Sequence, residues 1–137
     1  MKTLVFIAAI LLMTSCDVYY VEPVVPAPSY DPRDLFVGSY DLSEYSSTYD
    51  EYWDYSVTIY KTGRSELVID NFYNSGLRVY AGFNGNSIIV PWQIVDGYEL
   101  QGDGYIEGSR LIITYKVRDT CTQSSAWDFC DASGSRY

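Results

Sequence analysis

A chain of 137 residues has room for one folded domain, and its formal net charge of −9 excludes a protein that grips nucleic acid through the phosphates, which takes a basic face. It contains no His, so Ser-His-Asp triads, Cys-His dyads and His-based zinc sites are excluded, and an enzyme would have to run on carboxylates, Tyr or Lys. An aromatic fraction of 17%, with 15 Tyr, supplies both a core and a contact surface.

Residues 1–16 read MKTLVFIAAILLMTSC. Lys2 is a short positive region, and Leu4 to Leu12 is an apolar run too short for the roughly 20 residues that span a bilayer, but suited to a signal-peptide core. Small Thr14 and Ser15 then precede Cys16. The segment resembles a bacterial lipoprotein signal. The resemblance implies cleavage before Cys16 and lipidation of its thiol, so that acyl chains tie the protein to the lipid bilayer without a membrane-spanning helix. The expected location is the outer membrane, facing the periplasm or the cell surface. Asp17 is compatible with two opposite sorting outcomes, inner-membrane retention and surface export.

Residues 17–34 hold four of the five prolines, Pro23, Pro26, Pro28 and Pro32. Proline fixes φ and removes a donor, so the segment reads as an extended tether reaching at most about 55 Å. The folded domain is expected over 35–137. Phe36, Gly38, Tyr40 and Leu42 share one face of a first strand. The polar run 43–51 reads as a loop. Trp53, Tyr55, Val57 and Ile59 then point one way along a second strand. Thr62-Gly63 turns the chain into ELVIDNF, and Asn74-Ser75-Gly76 turns it again.

Leu77 to Val117 is the clearest stretch: strands cut by Asn84-Gly85-Asn86, Asp96-Gly97 and Gly108-Ser109. Inward faces are expected at Val79, Ala81 and Phe83; at Ile88, Val90, Trp92 and Ile94; at Leu100, Gly102, Gly104 and Ile106; and at Leu111, Ile113, Tyr115 and Val117. Pro91 cannot donate to a ladder, so its strand should bend, bulge or lie with that position unpaired. Gly102 and Gly104 suggest sharp curvature. Asp128 to Ala132 is placed as a short final strand. The expected fold is all-β: a small antiparallel up-and-down β-barrel, or a strongly curved meander, of seven or eight strands. Outside the cytoplasm, with Cys16 lipidated, Cys121 and Cys130 have only each other, and a disulfide closing a loop of about 10 residues would contribute roughly 2.7 kcal/mol.

Gly38-Ser39-Tyr40 after Phe36, the meander with NSIIVPWQ, the Gly102-Asp103-Gly104 strand, Tyr115 and a late Cys together resemble the small calycin-like or lipocalin-like lipoproteins of Bacteroidota. Tyr40 stands where the lipocalin signature has Trp. The resemblance covers about residues 35–130 and implies a small antiparallel barrel without naming a ligand.

No catalytic, metal or cofactor site is expected. Gly102-Asp103-Gly104 starts like a phosphate-binding glycine loop, but Glu107 stands at the third glycine and no helix follows. An EF-hand alignment puts Arg110 at the bidentate Glu position. Asp41, Glu44, Asp50, Glu51 and Asp54 crowd one region and read as a solvated acidic loop. Trp53, Tyr55 and Trp92 are the candidate ligand contacts, as inward aromatics that fill the core, line a barrel mouth or form a stacking platform for sugar or peptide. The expected role is non-enzymatic: a membrane-anchored binding or accessory module for a small apolar ligand, a glycan or an envelope protein partner. The alternatives are a carboxylate-based hydrolase and a purely structural envelope protein.

Overall fold

A computed structural model describes residues 20, 25–26, 29–123 and 125–137. Cys16, the expected signal and most of the expected tether lie outside the described residues. Eight strands follow in chain order: β1 (Gly38–Ser46), β2 (Glu51–Thr62), β3 (Glu66–Phe72), β4 (Leu77–Asn84), β5 (Ser87–Val95), β6 (Tyr98–Glu107), β7 (Arg110–Asp119) and β8 (Asp128–Arg136). Each pairs antiparallel with the next, and β8 returns to β1, so the sheet closes into an up-and-down barrel. Closure leaves no exposed edge for another chain to pair with.

The turns are set by local chemistry. Asp96 and Gly97 both take positive φ, 48° and 83°, which is the two-residue hairpin that an Asp-Gly pair favours. Alternation then decides what lies inside. Tyr40 and Leu42, Val57 and Ile59, Val79 and Ala81, and Leu111, Ile113, Tyr115 and Val117 are all buried. Each Leu or Ile so placed contributes about 1.5–3 kcal/mol relative to exposure. Gly104 and Gly134 stand where neighbouring backbone comes closest: a Cβ on Gly104 would lie 2.1 Å from the Ile112 carbonyl oxygen, and one on Gly134 1.6 Å from that of Asp41. At these two points only glycine lets the strands coil tightly enough to close.

Five features differ from the sequence reading, one being that the final strand runs to Arg136 and not only to Ala132. The folded unit starts before Leu35, because Pro32–Leu35 form a 3₁₀ turn capped by Asp31, which accepts from the Arg33 amide. Arg33 also donates to the carbonyls of Thr62 and Gly63, which fastens this turn to the β2–β3 hairpin. The polar run 43–51 is not a loop. β1 continues to Ser46 and β2 begins at Glu51, leaving only a turn at 47–50. Trp92 and Ile94 face outward, 58% and 57% exposed, because the β5–β6 register slips between Val90 and Gln93. The bulge falls at Pro91, where a bend, a bulge or an unpaired position is expected, and it reverses the faces of the later residues in β5. Finally, Cys121 and Cys130 are separate thiols and the expected bridge is not formed. Cys130 lies on the inner face of β8, opposite Tyr115, whereas Cys121 is exposed beside Gly97.

One end of the barrel is shut. Phe36 is fully buried there with its ring against Phe83, and the Tyr40 hydroxyl donates to the Phe36 carbonyl at 2.7 Å. Arg136, from the end of β8, stacks over the Tyr40 ring and donates to the carbonyls of Leu35 and Val37 at 3.2 and 3.0 Å. The other end is formed by the turns at 47–50, 73–76 and 96–97 and by the connection from β7 to β8.

Candidate functional site

Towards that second end the inward face changes character. Along β1 the inward positions run Tyr40, Leu42, Glu44, Ser46, and along β8 they begin with Asp128. Glu44 is 1% exposed and Asp128 3% exposed. A carboxylate taken this far from water is costly unless hydrogen bonds replace its hydration. Here tyrosines supply them. Tyr55 from β2 and Tyr115 from β7 both donate short hydrogen bonds to Glu44 Oε2. Tyr73, from the β3–β4 turn, donates to Asp128 Oδ2 at 2.8 Å, and Ser46 donates to Asp128 Oδ1. These partners explain why a polar stretch stays in strand.

Glu44 Oε2 takes both hydroxyls, and the Cys130 thiol, a weak donor, also hydrogen-bonds the Glu44 carboxyl. No fully buried side-chain nitrogen or oxygen lacks a partner among the described residues. Glu44 and Asp128 form the floor of a cavity of about 390 Å³, with Tyr49, Glu51, Trp53 and Tyr73 around the rim. A second cleft of about 530 Å³ adjoins it and shares Tyr49, Tyr73 and Asp128, with Tyr98 and Arg118 on its far side. Volumes of this size suit small-molecule sites.

The electrostatics follow from burial. Desolvation raises the Glu44 carboxyl above its ordinary value; the hydrogen bonds from Tyr115 and Tyr55 act against that, and the charge of Asp128 adds to it. Desolvation and Glu44 raise Tyr55 well above the ordinary phenol range, and Tyr115 likewise. Burial, Glu44 and Asp128 push the Cys130 thiol far up, so it is not a nucleophile. Tyr73 and Asn74 take left-handed backbone, φ 56° and 48°, uncommon for a non-glycine and costly for a bulky ring. This turn carries the Tyr73 hydroxyl to Asp128. Backbone strain of this kind concentrates at functional sites.

Of the three aromatics singled out in the sequence, the structure brings two together. Trp53 is 47% exposed on the cavity rim, and Tyr55 is inside on Glu44. Trp92 lies outside, where its indole donates to Glu99 at 2.7 Å, and it has no part in the cavity. Glu44, Asp128, Tyr49 and Tyr73 were not anticipated as site residues. The available signal was the unbroken alternation from Tyr40 to Ser46, whose inward members turn from apolar to polar. Among the described residues no group of three His, Cys, Asp or Glu side chains stands at metal-ligand spacing. No protein-family model and no curated protein matches this sequence.

Proposed function

We propose that this chain is a membrane-anchored, calycin-like lipoprotein that works as a non-enzymatic binding module, holding a small ligand in the open mouth of its barrel. The observation that carries the binding reading is the asymmetry of the barrel's two ends. One is plugged by Phe36 and clamped by Arg136, while the other opens into a cavity of about 390 Å³ whose floor holds two buried carboxylates. An eight-stranded barrel is just wide enough for side chains to fill or for one small ligand to enter. Here apolar side chains fill it up to the level of Glu44, and polar groups take over above. Residues that only stabilised the fold would be served better by apolar side chains at 44 and 128, because buried charges rarely improve on them.

The anchor rests on the 1–16 segment and its Cys16. Radiolabelled palmitate is expected in the wild type and not in Cys16→Ala; equal labelling of both would refute the anchor. The binding site is tested with arrays of small ligands, lipids and glycans probed with the full chain, Trp53→Ala and Trp92→Ala. Loss of signal in Trp53→Ala with retention in Trp92→Ala is the expected result. Equal loss in both would move the site to the outer wall.

A hydrolase reading has one observation in its favour: Glu44, held towards its protonated form, stands near Asp128 in the same cavity, as a general acid beside a second carboxylate would. Against it, the Glu44 oxygen Oε2 is already committed to two tyrosines. Turnover of an aryl glycoside that disappears in Asp128→Asn would decide for it.

A further inference from the structure

We infer that the barrel mouth is a receptor for a small organic cation, a primary alkylammonium held between the Trp53 and Tyr73 rings and the carboxylates of Glu44 and Asp128. The inference rests on the reading of the mouth as a binding site and adds the class of ligand.

Charge is the first argument. The cavity is lined by three acidic residues, Glu44, Glu51 and Asp128, and none of the residues lining it is basic. Low-dielectric walls around charges of one sign concentrate counter-ions of the other. The acidic residues are not merely a solvated cluster, since Glu44 and Asp128 are almost wholly buried and fixed by tyrosine hydroxyls.

The second argument is acceptor capacity to spare: among the described residues, besides the two tyrosines, only the Cys130 thiol, a weak donor, hydrogen-bonds Glu44, whose carboxylate lines the cavity. A neutral polyol could donate to it, but a cation also offsets the charge, and a hydrogen bond between ionised partners is roughly twice as strong as a neutral one. The third argument is the rim. Trp53, Tyr49 and Tyr73 surround the opening, and cations are attracted to aromatic faces, most strongly to Trp. A primary ammonium fits the floor better than a quaternary one because it has protons to give to the Glu44 carboxylate. A divalent metal fits less well, because among the described residues no three ligating groups converge.

Binding should also depend on pH. Glu44 is faced by Tyr55 from β2, Tyr115 from β7, and Asp128 and Cys130 from β8, with Glu51 and Tyr73 at the rim. A bound cation favours the ionised carboxylate, so affinity should fall as Glu44 takes up its proton at lower pH.

The test is an NMR titration of the full chain in detergent, following the Trp53 indole N–H resonance, assigned by its absence in Trp53→Leu. The probes are 1,5-diaminopentane, its neutral analogue 1,5-pentanediol, methyl glucoside and hexanoate. The diamine is expected to shift the resonance saturably, and the diol to bind at least about tenfold more weakly. Glu44→Gln, which keeps an acceptor for both tyrosines, is expected to lower diamine affinity by about tenfold or more and to flatten its pH dependence. If Glu44→Gln does not fold, Trp53→Leu at the rim gives a second reading, with a loss of about three- to tenfold measured by calorimetry. Diol, glucoside or hexanoate binding as tightly as the diamine would overturn the cation and leave the mouth as a binding site. No response of Trp53 to any probe would overturn both.

Discussion

Replacing Gly134 with Ala adds one carbon at the tightest point of the barrel. Its Cβ would stand 1.6 Å from the carbonyl oxygen of Asp41, 2.5 Å from that residue's carbonyl carbon and 2.9 Å from the Leu42 Cα. All three are backbone atoms of β1, so no side chain can turn aside, and the β1–β8 seam that closes the barrel has to move by more than an ångström. Overpacking costs about 1–3 kcal/mol where side chains can give way, and a backbone-only clash belongs at the top of that range, about 3 kcal/mol. For a domain near 100 residues this lowers Tm by roughly 10–20 °C. Gly82 in β4 is the matched control. A Cβ there meets nothing within 4 Å, and its φ is not in the left-handed region. Gly82→Ala should therefore be neutral, or stabilising by about 0.4–1 kcal/mol through the unfolded chain. Thermal unfolding followed by circular dichroism measures both. Equal Tm values for the two variants would refute the strand packing described.

Three further outcomes are expected. The folded-state pKa of Glu44 lies above its ordinary value of 4.5, so the folded protein holds an extra proton between the two values and stability falls as pH rises through that window; Glu44→Gln should gain Tm relative to wild type as pH is raised through it, and a Tm difference independent of pH would contradict this. Tyr73→Phe removes the hydroxyl on Asp128 and should destabilise by about 1 kcal/mol in urea unfolding, whereas Tyr80→Phe, with an exposed ring, should not. In the native protein Cys121 should react with iodoacetamide and Cys130 should not, with both reacting in denaturant; mass spectrometry showing neither thiol modified in denaturant without reductant would restore the disulfide.

Much of the fold is legible in the sequence because its turns carry their own chemistry and its inner faces are largely apolar from β2 to β7. Asp96-Gly97 and Gly108-Ser109 mark hairpins, and the inward runs of β4, β6 and β7 are those expected. The site was harder to see, for a physical reason. Glu44 and Ser46 continue the alternation of β1, but polar residues at inward positions resemble a loop unless their partners are known. Those partners, Tyr55, Tyr115 and Asp128, lie 11, 71 and 82 residues away in the chain. Trp92 is hard to place for the opposite reason. Strict alternation through Pro91 puts its side chain inside, although the proline itself predicts the bulge that turns Trp92 outward. Elimination pairs the two cysteines, whereas the register that puts Cys130 inside opposite Tyr115 depends on the whole barrel.

The central claim is that a buried Glu44 carboxyl forms the floor of an open mouth. Its side-chain carbon resonance can be followed directly through a pH titration, alone and with saturating 1,5-diaminopentane. The account predicts a midpoint above the ordinary glutamate value of 4.5 in the free protein, moving down when the diamine is bound. A midpoint at the ordinary value, unmoved by the diamine, would contradict it.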